Sequence, residues 1–233
     1  MTITLRPDDA VFQGRERLVV LAPHPDDESL GCGGLLARAF EGAGAHVVCL
    51  TDGGASHPGS HGWPRARLAA LRRSEMDRAI ACLGGSRDAL TWLGMEDGGL
   101  CRANPQEMAA RLEALIEDVG ARHIFAPAPE DHHEDHRATA RFASALRSRR
   151  PDWRFYAYPV WWRWDDPDFA RKIARQRPVF LPPGRHLPRK QAAIRAHRSQ
   201  MGLVVADDPS GFVLPAGFTE RFAQEDEIFW KMA

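Results

Sequence analysis

Arg17-Leu18-Val19-Val20-Leu21-Ala22-Pro23-His24-Pro25-Asp26-Asp27-Glu28 is the stretch on which the fold is decided. Its first half is a short β-branched and leucine run that stops at Pro23, the pattern of a buried strand. Its second half sets one histidine and three acids within five residues, directly behind that strand. Pro25 fixes φ and helps form a tight turn, so His24 and Asp27 can converge on one point while Asp26 faces elsewhere. A catalytic zinc site uses three nitrogen or oxygen ligands and leaves a fourth place for water. His24 and Asp27 would supply two of them.

Outward from this stretch, apolar runs and helical patterns alternate. Gly31 to Gly34 precede a helix pattern over 35–40, and residues 46–51 read as a second strand followed by a Gly- and Ser-rich loop over 52–63. Helical periodicity runs over 65–83 and ends at Gly84-Gly85. A third strand over 89–93 leads into a polar loop over 94–99. A helix over 105–119 has Pro105 in its first turn and closes at Gly120. A fourth strand over 123–126 stops at Pro127, and a helix is expected over 136–149. This rhythm predicts an α/β, Rossmann-like, mostly parallel sheet flanked by helices, in one domain over 1–233. The last third is less regular, with a strand expected over 155–162, a helix over 188–201 and a mixed tail.

In such sheets ligands sit outside the carboxyl ends of the strands, where the strand order reverses. A second cluster, Asp131-His132-His133-Glu134-Asp135-His136, follows the fourth strand. One of its histidines would complete a His₂-carboxylate set. His136 is favoured if it begins the next helix, and spacing alone does not separate it from His132. The plainer reading is that Asp26 or Asp27 merely caps a helix. Two clusters, each behind a strand of one sheet, argue against coincidence.

Bulk properties exclude several classes. Lys+Arg and Asp+Glu both total 31, and this balance argues against a polyanionic partner such as nucleic acid. Cys32, Cys49, Cys82 and Cys101 are widely spaced and read as free, mostly buried thiols of a reducing compartment. No signal-peptide pattern opens the sequence and no apolar run is long enough for a membrane span, so a cytoplasmic enzyme is expected. Gly31-Cys32-Gly33-Gly34 lacks the dinucleotide fingerprint and instead suits close packing of a helix on the sheet.

His24-Pro25-Asp26-Asp27-Glu28 together with His133-Glu134-Asp135-His136 resembles the LmbE-like (PIG-L) N-acetylglucosaminyl deacetylases. Arg72-Arg73-Ser74-Glu75, Asp97-Gly98, and Lys190 with Ala193, His197, Ser199 and Gln200 are similar to further motifs of that family. The resemblance implies metal ligation by His24, Asp27 and His136, with zinc as the ion; a His₂-carboxylate set also suits ferrous iron. It further implies Asp26 as general base, His133 as a stabiliser of the tetrahedral intermediate, and Asp135 as the acid that orients His133. Some members carry a tyrosine where this chain has Asp131, and many have proline at the place of Glu134.

Arg72 and Asp97 would contact sugar hydroxyls. Otherwise Arg72 is a solvated helix residue paired with Glu75, and Asp97-Gly98 is only a turn. Trp161, Trp162 and Trp164 suit either a sugar platform or the core. His57 and His61 are expected at the surface, and His197 is not expected as a ligand. The implied activity is removal of an N-acetyl group from a small-molecule amino sugar or its conjugate. The alternatives are an amidase for a larger acyl group and a non-catalytic sugar-binding subunit.

Overall fold

The computed structural model describes residues 6–232. Five strands run parallel: β1 (Leu18–Ala22), β2 (Ala45–Thr51), β3 (Leu90–Met95), β4 (His123–Pro127) and β5 (Arg154–Tyr158). Two more, β6 (Val179–Leu181) and β7 (Glu227–Lys231), extend the sheet antiparallel, in the order β3-β2-β1-β4-β5-β7-β6. The chain moves from β1 outwards to β3, then returns to place β4 on the other side of β1. The order therefore reverses between β1 and β4, and the turns behind these two strands share one crevice.

Both faces of the sheet are covered, which is why β1 is apolar at every position and fully buried. Leu18, Val20 and Ala22 join a core with helices α1 (Asp27–Glu41), α2 (Arg65–Leu83), α7 (Leu187–Ala196) and α8 (Phe218–Gln224). Val19 and Leu21 join the opposite core with α3 (Pro105–Val119) and α4 (Glu134–Arg149). The split follows from the two-residue period of a strand. The C-terminal region adds two short helices, α5 (Trp161–Asp165) and α6 (Phe169–Ile173).

Expected elements and observed ones agree to a few residues through Arg149. The glycines 31, 33 and 34 do not precede the first helix but lie inside it. A Cβ at Gly31 would stand 2.3 Å from the Tyr158 ring of β5, so their smallness lets α1 lie close to the sheet. The differences grow beyond residue 150. The strand expected over 155–162 ends at Tyr158, and Trp161 begins α5. The helix expected over 188–201 breaks at His197 into a 3₁₀ turn over Arg198–Met201. All four cysteines are free; Cys32 and Cys49 are buried, whereas Cys101 is exposed. Among the described residues no helix is long and apolar enough to cross a membrane.

Candidate active site

The turn behind β1 is strained. Asp26 occupies the N-cap place of α1 with φ 147° and ψ −28°, and its side chain makes no capping bond. Such a conformation in a non-glycine residue costs about 1–3 kcal/mol and persists only where its surroundings fix it. Here Glu28 Oε2 accepts the Asp26 N–H at 3.0 Å, and Arg72 donates to the Pro25 carbonyl at 2.8 Å and to Asp26 Oδ2 at 3.3 Å. The capping explanation for these acids therefore fails. Asp27, the first residue of α1, turns its carboxylate back: Oδ2 accepts the His24 N–H at 2.9 Å. That same oxygen lies 3.2 Å from His24 Nδ1 and 3.2 Å from His136 Nε2.

The turn behind β4 brings the second cluster to the same place. His133 caps α4, its Nδ1 accepting the Asp135 N–H at 3.2 Å. His136 lies in the first turn, fully buried, with Nδ1 2.8 Å from Asp131 Oδ2. Asp131 also accepts the Trp162 N–H at 2.8 Å and the Val160 N–H at 3.1 Å. His136 Nε2 is buried and, apart from the 3.2 Å approach of Asp27 Oδ2, has no hydrogen-bond partner among the described residues. His132 is instead exposed and pairs with Asp165 at 3.0 Å.

Asp135 differs from expectation. Its carboxylate does not reach His133; it lies 3.2 Å from His24 Nε2 and accepts the Gly98 and Leu100 N–H groups at 2.8 and 3.0 Å. It is the Asp135 backbone amide that meets His133, at Nδ1. Asp97 likewise stands 3.3 Å from His24 Nε2, its other oxygen accepting the Ala55 N–H at 2.9 Å. Arg72 is buried rather than solvated, and Glu75 pairs with Ser199 at 2.6 Å instead.

His24 and His136 thus each have one nitrogen beside a supporting carboxylate, Asp135 and Asp131 respectively, and the other facing Asp27. Outer carboxylates of this kind fix ring orientation and raise ligand basicity. Ligand atoms of His24, His133 and His136 come within 4.8 Å of one another, as do those of His24, Asp97 and Asp135. Burial opposes the charged form of His24, but Asp135, Asp27 and Asp97 outweigh it and hold the imidazole well above 6.5. For His136 burial is likewise outweighed, by Asp27 and Asp131, to about 9. Burial pushes Asp26 up to about 6, with Arg72 opposing and the neighbouring Asp27 adding to the rise. Burial, then the charges of His24 and His136, bring His133 down to about 4.

The cluster opens into a cavity of about 270 Å³, lined by His24, Asp26, Asp27, Asp97 and His133 on its polar side, with Arg72 and Gln200 beside them. Sequence reasoning singled out His24, Asp26, Asp27, Arg72, Asp97 and His133 but gave Gln200 no role in the site, and it missed the service of Asp131 to His136, which only the spacing of an acid five residues before a candidate ligand could have signalled. It also missed Glu28, whose Oε1 receives Ser29 Oγ at 2.6 Å and lies 3.0 Å from His197 Nε2.

Residues 19–146 match the family described as PIG-L, GlcNAc-PI de-N-acetylase. The chain belongs to this family. A 1D-myo-inositol 2-acetamido-2-deoxy-alpha-D-glucopyranoside deacetylase of Rhodococcus opacus is 30% identical over 58% of the chain and 56% of its own length. The chain thus spans about half the length of that relative. A probable N-acetyl-alpha-D-glucosaminyl L-malate deacetylase 2 of Bacillus anthracis is 27% identical over 94% of the chain and 96% of its own length. The PIG-L fold is also that of the N,N'-diacetylchitobiose deacetylase from Pyrococcus horikoshii, with TM-score 0.66 at 22% identity, covering 96% of this chain and 86% of that one.

Proposed function

We propose that this PIG-L chain is a zinc-dependent hydrolase that removes the N-acetyl group from an N-acetylated amino sugar or its conjugate. The observation that carries the proposal is the convergence of His24 Nδ1, Asp27 Oδ2 and His136 Nε2, with a strained, unligated Asp26 beside them. The Asp27 oxygen lies 3.2 Å from each imidazole nitrogen, close to the ~3.3 Å edge of a tetrahedron with ligands at ~2.0–2.1 Å. His136 Nε2, buried and without a hydrogen bond of good geometry among the described residues, fits the same donor set. We therefore assign the metal to His24, Asp27 and His136, with ferrous iron as the second candidate ion. His133 is the less suitable third ligand, since its Nδ1 already accepts an amide. Bound there, the metal supplies Lewis acidity and lowers the pKa of a water molecule towards ~7.

The chain's own groups supply the rest. Asp26 takes the proton of the attacking water and passes it to the departing amine. A value of about 6 leaves it ionised at neutral pH yet more basic than an ordinary aspartate. The amide on His133 Nδ1 dictates the Nε2–H tautomer, so a neutral His133 donates that hydrogen to the amide oxygen as it gains charge. Asp135 and Asp131 hold His24 and His136 in place. Asp97, facing the cavity, is assigned to a sugar hydroxyl. Arg72 is reassigned from sugar contact to support of Asp26, because its bonds go to Gly53, Pro25 and Asp26. Ser199 and His197 brace the site from the C-terminal region, which supports reading the chain as one domain.

The test is release of free amine from N-acetylglucosamine and its glycosides. Turnover is expected with bound zinc, lost on chelation and restored by added zinc. No amine release from metal-loaded protein would exclude the proposal.

A further inference from the structure

The cavity has two unlike walls, and the deacetylation proposed above uses only one. Facing the polar groups is an apolar wall of Leu30, Val160, Trp161, Phe212 and Leu214. Exposure along it is graded: Val160 0% and Leu30 2%, Leu214 9%, then Phe212 39% at the mouth. Leu30 lies on α1 one turn beyond Asp26, and Val160 donates its N–H to Asp131, so the closed end of the wall adjoins the reacting centre.

The wall is fixed rather than draped over the site. The Phe212 N–H donates to the Ser56 carbonyl at 2.6 Å. Nearby, Asp208 accepts the Gly59 N–H at 2.8 Å and Asp207 accepts the Ser60 hydroxyl at 2.6 Å, clasping two loops together. His57 fills the space beside Gly211, where a Cβ would stand 2.2 Å from its ring. Trp161 meets Phe212 edge-on, with centroids 5.8 Å apart, and is backed by Phe218 at 5.0 Å. A pinned, partly exposed aromatic pair at the mouth of a polar site is surface that burial against a ligand would stabilise.

An N-acetylated monosaccharide offers one methyl group to such a wall. We infer that the wall receives an apolar group carried by the substrate several carbons from the scissile amide, with Trp161 and Phe212 as specificity-determining residues. The group is either an alkyl or aryl aglycone or an acyl chain longer than acetyl. This inference rests on the proposed deacetylation for its substrate but not for its binding test.

Two substrate series separate the sources: methyl, butyl, hexyl and phenyl glycosides of N-acetylglucosamine, and glucosamine carrying N-acetyl, N-butanoyl or N-hexanoyl groups. The expected result is a rise in kcat/KM of about tenfold along one series, and loss of that preference in Phe212→Ala and Trp161→Ala. The series that rises identifies the group. Flat profiles in both series overturn the inference. A binding assay by tryptophan fluorescence then compares hexyl with methyl glucosaminide, and N-hexanoyl- with N-acetylglucosamine. If no substrate yields amine, the deacetylase reading fails, yet tighter binding of a hexyl or hexanoyl compound that Phe212→Ala abolishes still upholds the apolar subsite. Equal binding within both pairs removes it.

Discussion

From Leu18 to Arg149 the strands run parallel and alternate with helices, whereas from Arg154 the last parallel strand, β5, hands the sheet on to the antiparallel β7 and β6. The first region carries every proposed ligand and the proposed base, on turns at the strand ends. The second carries none, yet it reaches behind the first at each vulnerable point. Glu227 of β7 accepts the Gly34 and Leu35 N–H groups of α1 at 2.6 and 2.9 Å, and Lys190 at 2.7 Å. His197 meets Glu28, Ser199 meets Glu75, and the amides of Val160 and Trp162 hold Asp131. A strained turn can present reactive groups to a cavity because buried polar clamps from a distant part of the chain fix the helix that follows it.

The sharpest way to break this division is at its reactive end. Asp26→Asn should keep its metal while amine release falls by about 10²–10⁴-fold, the usual range for a general base. His136→Ala should instead lower metal content measured on purified protein. Equal metal loss in both variants would show that Asp26 is a ligand. Next comes the clamp. Glu227→Ala strands the buried Lys190 ammonium and should cost about 3–5 kcal/mol in urea unfolding. Lys190→Met combined with Glu227→Gln should cost less than Glu227→Ala alone. A Glu227→Ala protein with unchanged stability but lost turnover would move this pair out of the scaffold. Smaller again is the link between the regions: Asp131→Asn should weaken metal affinity by about 10–100-fold, as loss of an outer carboxylate does elsewhere.

The same contrast governs what the sequence revealed. β1 was legible because a strand buried on both faces leaves an uninterrupted apolar run. α2 and α3 were legible because Gly84 and Gly120 end them in the left-handed conformation. The site was legible as two clusters, since each is local in sequence. What could not be read was the partner of each side chain. That Asp135 serves His24 rather than its neighbour His133, and that Arg72 spans 47 residues to the Pro25 carbonyl, are facts of three-dimensional register. The C-terminal region resisted for a related reason. Its elements are held by long-range contacts such as Lys190–Glu227, so local periodicity carries little of the information that places them. Trp162 illustrates this: it packs on Phe169 and Trp230 in a small third core, while Trp161 next to it faces the cavity.

The mildest test concerns the sheet itself, at histidines remote from the metal cluster. His46 of β2 lies 2.8 Å from the Thr91 hydroxyl, and His123 of β4 stacks on Tyr156 of β5 at 5.8 Å, where the two regions join. Burial lowers the pKa of both; Arg17 adds to the effect at His46, and at His123 burial prevails over the opposing Glu16. In the unfolded chain both return to about 6.5. Below that value the unfolded state binds more protons than the folded one, so stability is full above about pH 6.5 and is lost as pH falls through the lower folded-state values. The urea midpoint should therefore drop between pH 7.5 and 5.5, and the drop should be shallower in a His46→Gln, His123→Gln double variant. The metal cluster titrates in both proteins alike, so only the difference between their profiles reports on these two residues. Parallel profiles would mean that the joint between the regions tolerates charge, and that burial there is less complete than the packing of His123 against Tyr156 implies.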